Sequence, residues 1–217
     1  MAEQRLSLKD GEVAVRFVRK AMEEWVKNNK TMRDVPADPF FNERRGILLS
    51  LCRTDGKLHG RIGYPYPIKS VFDVLVRCAV SVCQDPRSPA LKAADLNDVA
   101  IELSILSEPR PVLKPYEKNF DPLGEGLVVV RGAKKAMMMA GDAASPSGAI
   151  AEIMKRAGIE KNLANDPLTK FYKFGSQTFL EESPGGDVVE RSGSKKPRAS
   201  KKAAKKPAKA AKKGRHK

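Results

Sequence analysis

Four side chains that could transfer protons or hold an anion lie close together in the first third of the chain: Ser50, Cys52, His59 and Arg61. Asp55-Gly56 lies between Cys52 and His59, and on each side of it apolar and polar residues alternate. This pattern predicts a β-hairpin with a two-residue turn, in which Cys52 pairs with His59 and Ser50 with Arg61. Because side chains alternate across a strand, all four are expected on one polar face of the hairpin.

A third strand can add a carboxylate to that face. Residues 99 to 107 alternate regularly, with Glu102 and Ser104 on one side and isoleucine or leucine on the other. If all three strands lie in one sheet, His59, Arg61 and Glu102 converge. Three interpretations stay open: the ordinary polar outer face of an antiparallel sheet, a concave binding site, and a catalytic pair in which His59 takes the proton of Cys52.

The order of motifs from residue 45 to residue 109 resembles the AMMECR-one domain family. That family's pattern is approximately Leu-Arg-Gly-Cys-Ile-Gly, then a helix, Asp-Pro-Arg-Phe and Glu-x-Ser-x-Leu. This chain has Leu-His-Gly-Arg-Ile-Gly at 58–63, Asp-Pro-Arg-Ser at 85–88 and Glu-Leu-Ser-Ile-Leu at 102–106. The resemblance covers residues 8 to 182 in order. No reaction is established for the family, so the resemblance implies a domain and no chemistry.

The departures from the family pattern bear on the candidate binding face. His59 and Arg61 stand where the family has Arg and Cys, so a mechanism that needs a thiol at that position would be lost. Arg61 can still bind a carboxylate or phosphate in a bidentate manner through its guanidinium. Gly60 and Gly63 suggest a bulge or close backbone approach. Arg87 either satisfies carbonyls at the end of the preceding helix or joins the site.

The remaining pattern predicts an α+β fold. Apolar stripes at helical spacing mark helices over 8–28, 70–84 and 147–157, and short apolar runs mark strands over 127–131, 136–139 and 170–180. We expect a mainly antiparallel sheet flanked by helices, with a smaller second α+β lobe. The Gly185-Gly186 pair suggests a linker, which divides the chain into an AMMECR-like domain (1–184) and a disordered lysine-rich tail (185–217).

The tail carries most of the net charge of +15. Residues 193 to 217 hold ten lysines, two arginines and no acid, whereas the rest of the chain is nearly balanced. Such a segment is expected to contact RNA or DNA through phosphates without sequence preference. The cations are Lys195, Lys196, Arg198, Lys201, Lys202, Lys205, Lys206, Lys209, Lys212, Lys213, Arg215 and Lys217.

Several functional classes have no support in the sequence. It lacks an apolar run long enough for a membrane span, a secretory leader pattern and a phosphate-binding glycine motif. Three cysteines without Cys-x-x-Cys spacing favour the reducing cytoplasm over a disulfide or zinc framework. We therefore expect no membrane contact, metal or cofactor.

Three functions remain as hypotheses. The first is a cytoplasmic binding or adaptor component, or part of a modification system; the family resemblance implies Memo-like or radical-SAM proteins as partners. The second is a nucleic-acid- or ribosome-associated protein that binds mainly through the tail. The third is a standalone enzyme that uses a His59/Arg61/Glu102 face.

Overall fold

A computed structural model of the protein describes residues 5–191, whose strands form two antiparallel sheets. The helices are α1 (Leu8–Asn28), α2 (Val71–Cys83) and α3 (Pro146–Ala157). The strands are β1 (Gly46–Arg53), β2 (Leu58–Tyr64), β3 (Val99–Leu106), β4 (Arg110–Pro111), β5 (Gly126–Arg131), β6 (Lys134–Met138), β7 (Lys170–Phe174), β8 (Ser176–Glu181) and β9 (Val188–Arg191).

The first sheet has the strand order β2-β1-β3-β8-β9, and α1 and α2 pack on one of its faces. The start of α1 is fixed by Ser7, whose hydroxyl accepts from the Asp10 N–H while the Asp10 carboxylate accepts from the Ser7 N–H. Alternate residues of the strands, such as Leu49, Leu103 and Phe179, are fully buried beneath the helices. We call this side of the sheet the helix face.

The second sheet has the order β4-β7-β5-β6 and forms a separate core with α3. The chain passes from β7 to β8, and so from one sheet to the other, at Gly175. Leu106, Val128 and Phe174 form a third buried cluster where the two sheets meet. The predicted α+β fold with a smaller second lobe is confirmed.

The last strand lies beyond the domain boundary that the sequence suggested at residue 184. Gly185 has a φ of +69°, and hydrogen bonds from Glu182 N to Asp187 O and from Gly186 N to Ser183 O close a turn there. The glycines therefore join β8 to β9 as a hairpin, and the first sheet includes residues beyond 184. The predictions for residues 192–217, with all twelve tail cations, lie outside the described residues.

Within residues 5–191, no helix combines the length and the apolar content that crossing a membrane requires. The same part of the chain contains no cluster of three or more His, Cys, Asp or Glu side chains placed to hold a metal ion.

Candidate functional site

The hairpin brings Ser50 and Arg61 together as predicted but separates Cys52 from His59. The turn has three residues, because Arg53 N bonds to Lys57 O and Gly56 takes a φ of +83°. This extra residue pairs Cys52 with Leu58. A bulge at the next step leaves His59 without an opposing residue, after which Leu51 pairs with Gly60 and the predicted register returns.

His59 consequently lies on the helix face, not beside Arg61. Its Nδ1 is 3.2 Å from Nη2 of Arg53, a residue that alternation places opposite Ser50 and Cys52. A guanidinium can only donate, so His59 Nδ1 accepts and Nε2 carries the proton. His59 is 4 % exposed, and its Nε2 has no hydrogen-bond partner among the described residues. Burial, followed by the charge of Arg53, lowers the His59 pKa.

Cys52 stays on the polar face, where its thiol is poorly suited to act as a nucleophile. Partial burial, followed by the nearby charge of Glu102, raises its pKa; Arg61 and Arg191 oppose the shift. Nucleophilic cysteines need the opposite shift, toward the thiolate. The predicted pairing of Cys52 with His59 is wrong, and the interpretation of the two as a catalytic pair has neither the geometry nor the electrostatics it needs.

The face of the first sheet opposite the helices, which we call the polar face, has three polar contacts between side chains of different strands. Arg61 Nε donates to Ser50 Oγ at 3.0 Å. In register with Ser50, Glu102 accepts from Arg191 Nη2 at 2.7 Å. Ser104, which is 3 % exposed, shares a hydrogen bond of 2.8 Å with the hydroxyl of Thr178. Glu102 and Ser104 thus share the side of Ser50 and Arg61, as predicted.

The guanidinium of Arg61 keeps most of its donors available. It is partly exposed and, in the part of the chain that the structure describes, it donates only through Nε. Its Nη1 and Nη2 atoms are left for another acceptor. The Glu102 side chain, by contrast, is 11 % exposed, and its carboxylate is already paired with Arg191. The polar face therefore has donors for an anion at Arg61. The carboxylate of Glu102 is held in an ion pair within the fold.

Arg87 belongs to a segment that closes the outer edge of β2. The Asp85 carboxylate accepts from Arg61 N at 3.3 Å, and Arg87 Nη2 donates to Arg61 O at 2.7 Å. Arg87 also binds Asp85 through Nε at 2.9 Å and Nη2 at 2.6 Å. The Ser88 hydroxyl donates to His59 O. We call residues 85–88 the edge clip, because they occupy backbone groups of an edge strand that another chain could otherwise pair with.

Both glycines of the hairpin motif permit close packing. A Cβ on Gly60 would lie 3.1 Å from Val82, on the helix face, and a Cβ on Gly63 would lie 2.8 Å from Ile47 O. These contacts match the bulge and close approach that the sequence suggested. Neither glycine is placed as a phosphate-binding loop.

Sequence reasoning missed a buried ion pair beneath the helix face. Arg19 of α1 donates through Nε and Nη2 to the Glu181 carboxylate and also to Leu96 O and Val99 O. Glu181, 2 % exposed, also accepts from Ile101 N. The signal available was Arg19 within the apolar stripe of α1. With every polar group satisfied, the pair fixes α1 against β3 and β8.

Comparison with known proteins identifies the family. The AMMECR1 family model matches residues 15–179. A protein from Methanothermobacter thermautotrophicus is 32% identical over 189 residues, covering 82% of this chain and 97% of the relative. Protein MK0488 from Methanopyrus kandleri is 30% identical, covering 87% of this chain and 96% of the relative.

A solved structure has the same fold. The crystal structure of the uncharacterized protein PH0010 from Pyrococcus horikoshii superposes with a TM-score of 0.78 at 27% identity, covering 84% of this chain and 97% of that one. The family match runs from within α1 to within β8, and it includes Ser50, Arg61, Glu102 and the edge clip. This chain therefore belongs to the AMMECR1 family.

Proposed function

We propose that this AMMECR1 domain acts in the cytoplasm by binding a protein partner, as an adaptor or as a component of a modification system. The observation that supports this is the state of Arg61: Ser50 holds the guanidinium at Nε, while Nη1 and Nη2 are not engaged by the described residues. A guanidinium fixed in this way loses little conformational freedom when it binds a carboxylate or phosphate with two parallel hydrogen bonds.

The alternative of a standalone enzyme loses its main argument. It requires His59, Arg61 and Glu102 on one face, but His59 contacts Arg53 on the helix face and Glu102 is paired with Arg191. Among the described residues, no hydrogen bond joins Ser50 or Cys52 to His59 or Glu102, as it would in a nucleophile activated by a base. Binding through Arg61 needs neither group.

The test is affinity capture with the full chain and its Arg61→Gln variant. Arg77→Gln is the matched control, since Arg77 is exposed on α2 and has the same charge. Memo-like and radical-SAM proteins, which the family association suggests, are the partners to probe first. We expect Arg61→Gln to weaken capture about tenfold or more, in line with the loss of a bidentate charged contact. Equal capture by the wild type and both variants would remove Arg61 from the interface.

The charge of residues 193–217 supports a second candidate function, contact with RNA or DNA. Twelve cations without an acid can replace several condensed counterions. If about five phosphate contacts form, the affinity should fall by about two to three orders of magnitude between about 50 and 200 mM salt. The test compares nucleic-acid binding by the full chain with binding by a chain that ends at Arg191. Truncation before Arg191 would remove the Arg191–Glu102 ion pair. Salt-insensitive binding, or an affinity that truncation leaves unchanged, would contradict this role for the tail.

A further inference from the structure

A groove of about 690 Å³ lies at the C-terminal end of α1, away from Arg61. Trp25 and Met32 supply apolar parts of its wall, and Lys20, Lys30 and Arg33 line it as well. The groove is large enough for a nucleotide-sized ligand. It is on the helix side of the first sheet, so a molecule bound there would not cover the polar face.

The cations of this groove have no partners of their own. In residues 5–191, the side chains of Lys20, Lys30 and Arg33 take part in no hydrogen bond or ion pair. Of the two acids that also line the groove, Glu24 accepts a hydrogen bond of 3.0 Å from Asn28. Three unpaired cations beside two carboxylates, one of them already hydrogen-bonded, leave the groove net positive, although the body of the protein is nearly neutral.

Trp25 provides an aromatic surface among these charges. Its ring is partly buried against the core beneath the helices and partly exposed in the groove. The negative end of the α1 dipole, which would repel an anion, is capped: Asn29 N donates to Trp25 O and Lys30 N to Glu24 O. An aromatic surface among unpaired cations is the arrangement by which proteins hold single-stranded nucleic acid.

We propose that this groove binds single-stranded nucleic acid, with one base stacked on Trp25 and the neighbouring phosphates held by Lys20, Lys30 and Arg33. Base stacking on an aromatic ring tolerates any base, since every base has a π face. The inference is additional to the proposed contact of the tail. It places a second nucleic-acid contact in the folded body, where it can be measured separately.

The experiment uses the full chain and the emission of Trp25, the single tryptophan. A short oligothymidylate should quench this emission saturably, and an abasic oligonucleotide of equal charge should not. In the Lys20→Gln/Lys30→Gln/Arg33→Gln variant, the apparent affinity from quenching should fall about tenfold or more. The matched control changes three exposed lysines of the second lobe to Gln: Lys118, Lys135 and Lys161.

Three results would overturn the proposal. The first is unchanged Trp25 emission when the oligonucleotide binds, and the second is the same quenching affinity in the triple variant as in the wild type. The third is quenching by a polyglutamate peptide equal to that by the oligonucleotide, which would indicate an acidic-peptide site. The anisotropy of a labelled oligonucleotide reports total binding, including that of the tail. Binding by anisotropy without quenching would leave the tail's role standing and remove the groove. Quenching that survives deletion of residues 192–217 is the expected result, because the groove lies in the folded body.

Discussion

Replacing Asp85 should destabilise the protein far more than replacing Arg87, although the two form one ion pair. The Asp85 side chain is 2 % exposed, whereas that of Arg87 is 67 % exposed. Asp85 accepts backbone hydrogen bonds from Arg61 N and Arg87 N, in addition to the two from the guanidinium. Arg87 holds only the carboxylate and one carbonyl, and water can replace it at both.

The size of the effect follows from these exposures. A buried hydrogen bond to a charged acceptor contributes about 1.5–3 kcal/mol, and the 3.3 Å bond from Arg61 N belongs at the lower end. The exposed guanidinium bonds are screened and together contribute about 1 kcal/mol. We therefore expect Asp85→Ala to lower the free energy of unfolding by about 3–4 kcal/mol, and Arg87→Gln by about 1 kcal/mol.

The assay is urea denaturation followed by circular dichroism near neutral pH, with Arg77→Gln as the control for loss of a surface charge. The hydrogen bonds from Arg87 hold the Asp85 pKa well below its usual range. The folded pKa lies below the unfolded one, so the contribution of Asp85 is full above about pH 4 and disappears as the pH falls. The reasoning is refuted if Asp85→Ala costs no more than Arg87→Gln, or if the gap between wild type and Asp85→Ala widens in acid.

Three further predictions concern groups away from the edge clip. Arg19→Met should cost about 3–5 kcal/mol, because it leaves Glu181 charged and buried, and adding Glu181→Met should restore much of the loss; a double variant less stable than the single one would contradict this. The His59 pKa is lowered, so His59 destabilises the fold as the pH falls through the unfolded value of about 6.5. His59→Gln should therefore flatten the stability–pH curve near pH 6, and an unchanged slope in denaturation would exclude the effect. Cys52 has a raised pKa and should react with iodoacetamide more slowly than a free thiol at neutral pH, with a rate that climbs as the pH rises; rapid, pH-independent labelling would contradict it.

The sequence predicted the helices and the sheet faces because periodic burial leaves a periodic pattern. Alternation alone placed Ser50, Arg61, Glu102 and Ser104 on one side, as the register has them. The position of His59 depends on two one-residue shifts in the strand register. The three-residue turn causes the first shift, and the bulge reverses it before Arg61. No periodicity records such local events, since each is decided by backbone geometry at a single residue.

Other contacts could not be predicted because they join residues that are distant in the chain. Nothing in the Asp-Pro-Arg-Ser run shows that it turns back onto a strand more than 20 residues earlier, and the run also fits the end of a helix. Arg19 and Glu181 are separated by 162 residues. The two glycines at 185 and 186 fit a linker and a hairpin turn equally well. In each case tertiary packing selected one of the local options.

The two ends of the described chain meet at one edge of the first sheet. Arg5 Nη2 lies 2.7 Å from Glu190 Oε1, and Leu6 exchanges hydrogen bonds with the side chain of Gln177 in the neighbouring strand. Ends that close on each other make a fold suited to circular permutation. A short linker could join residue 191 to residue 5, with new ends opened at Gly132, in the exposed turn between β5 and β6. A permutant that folds would show that the order of the two lobes along the chain does not determine the architecture.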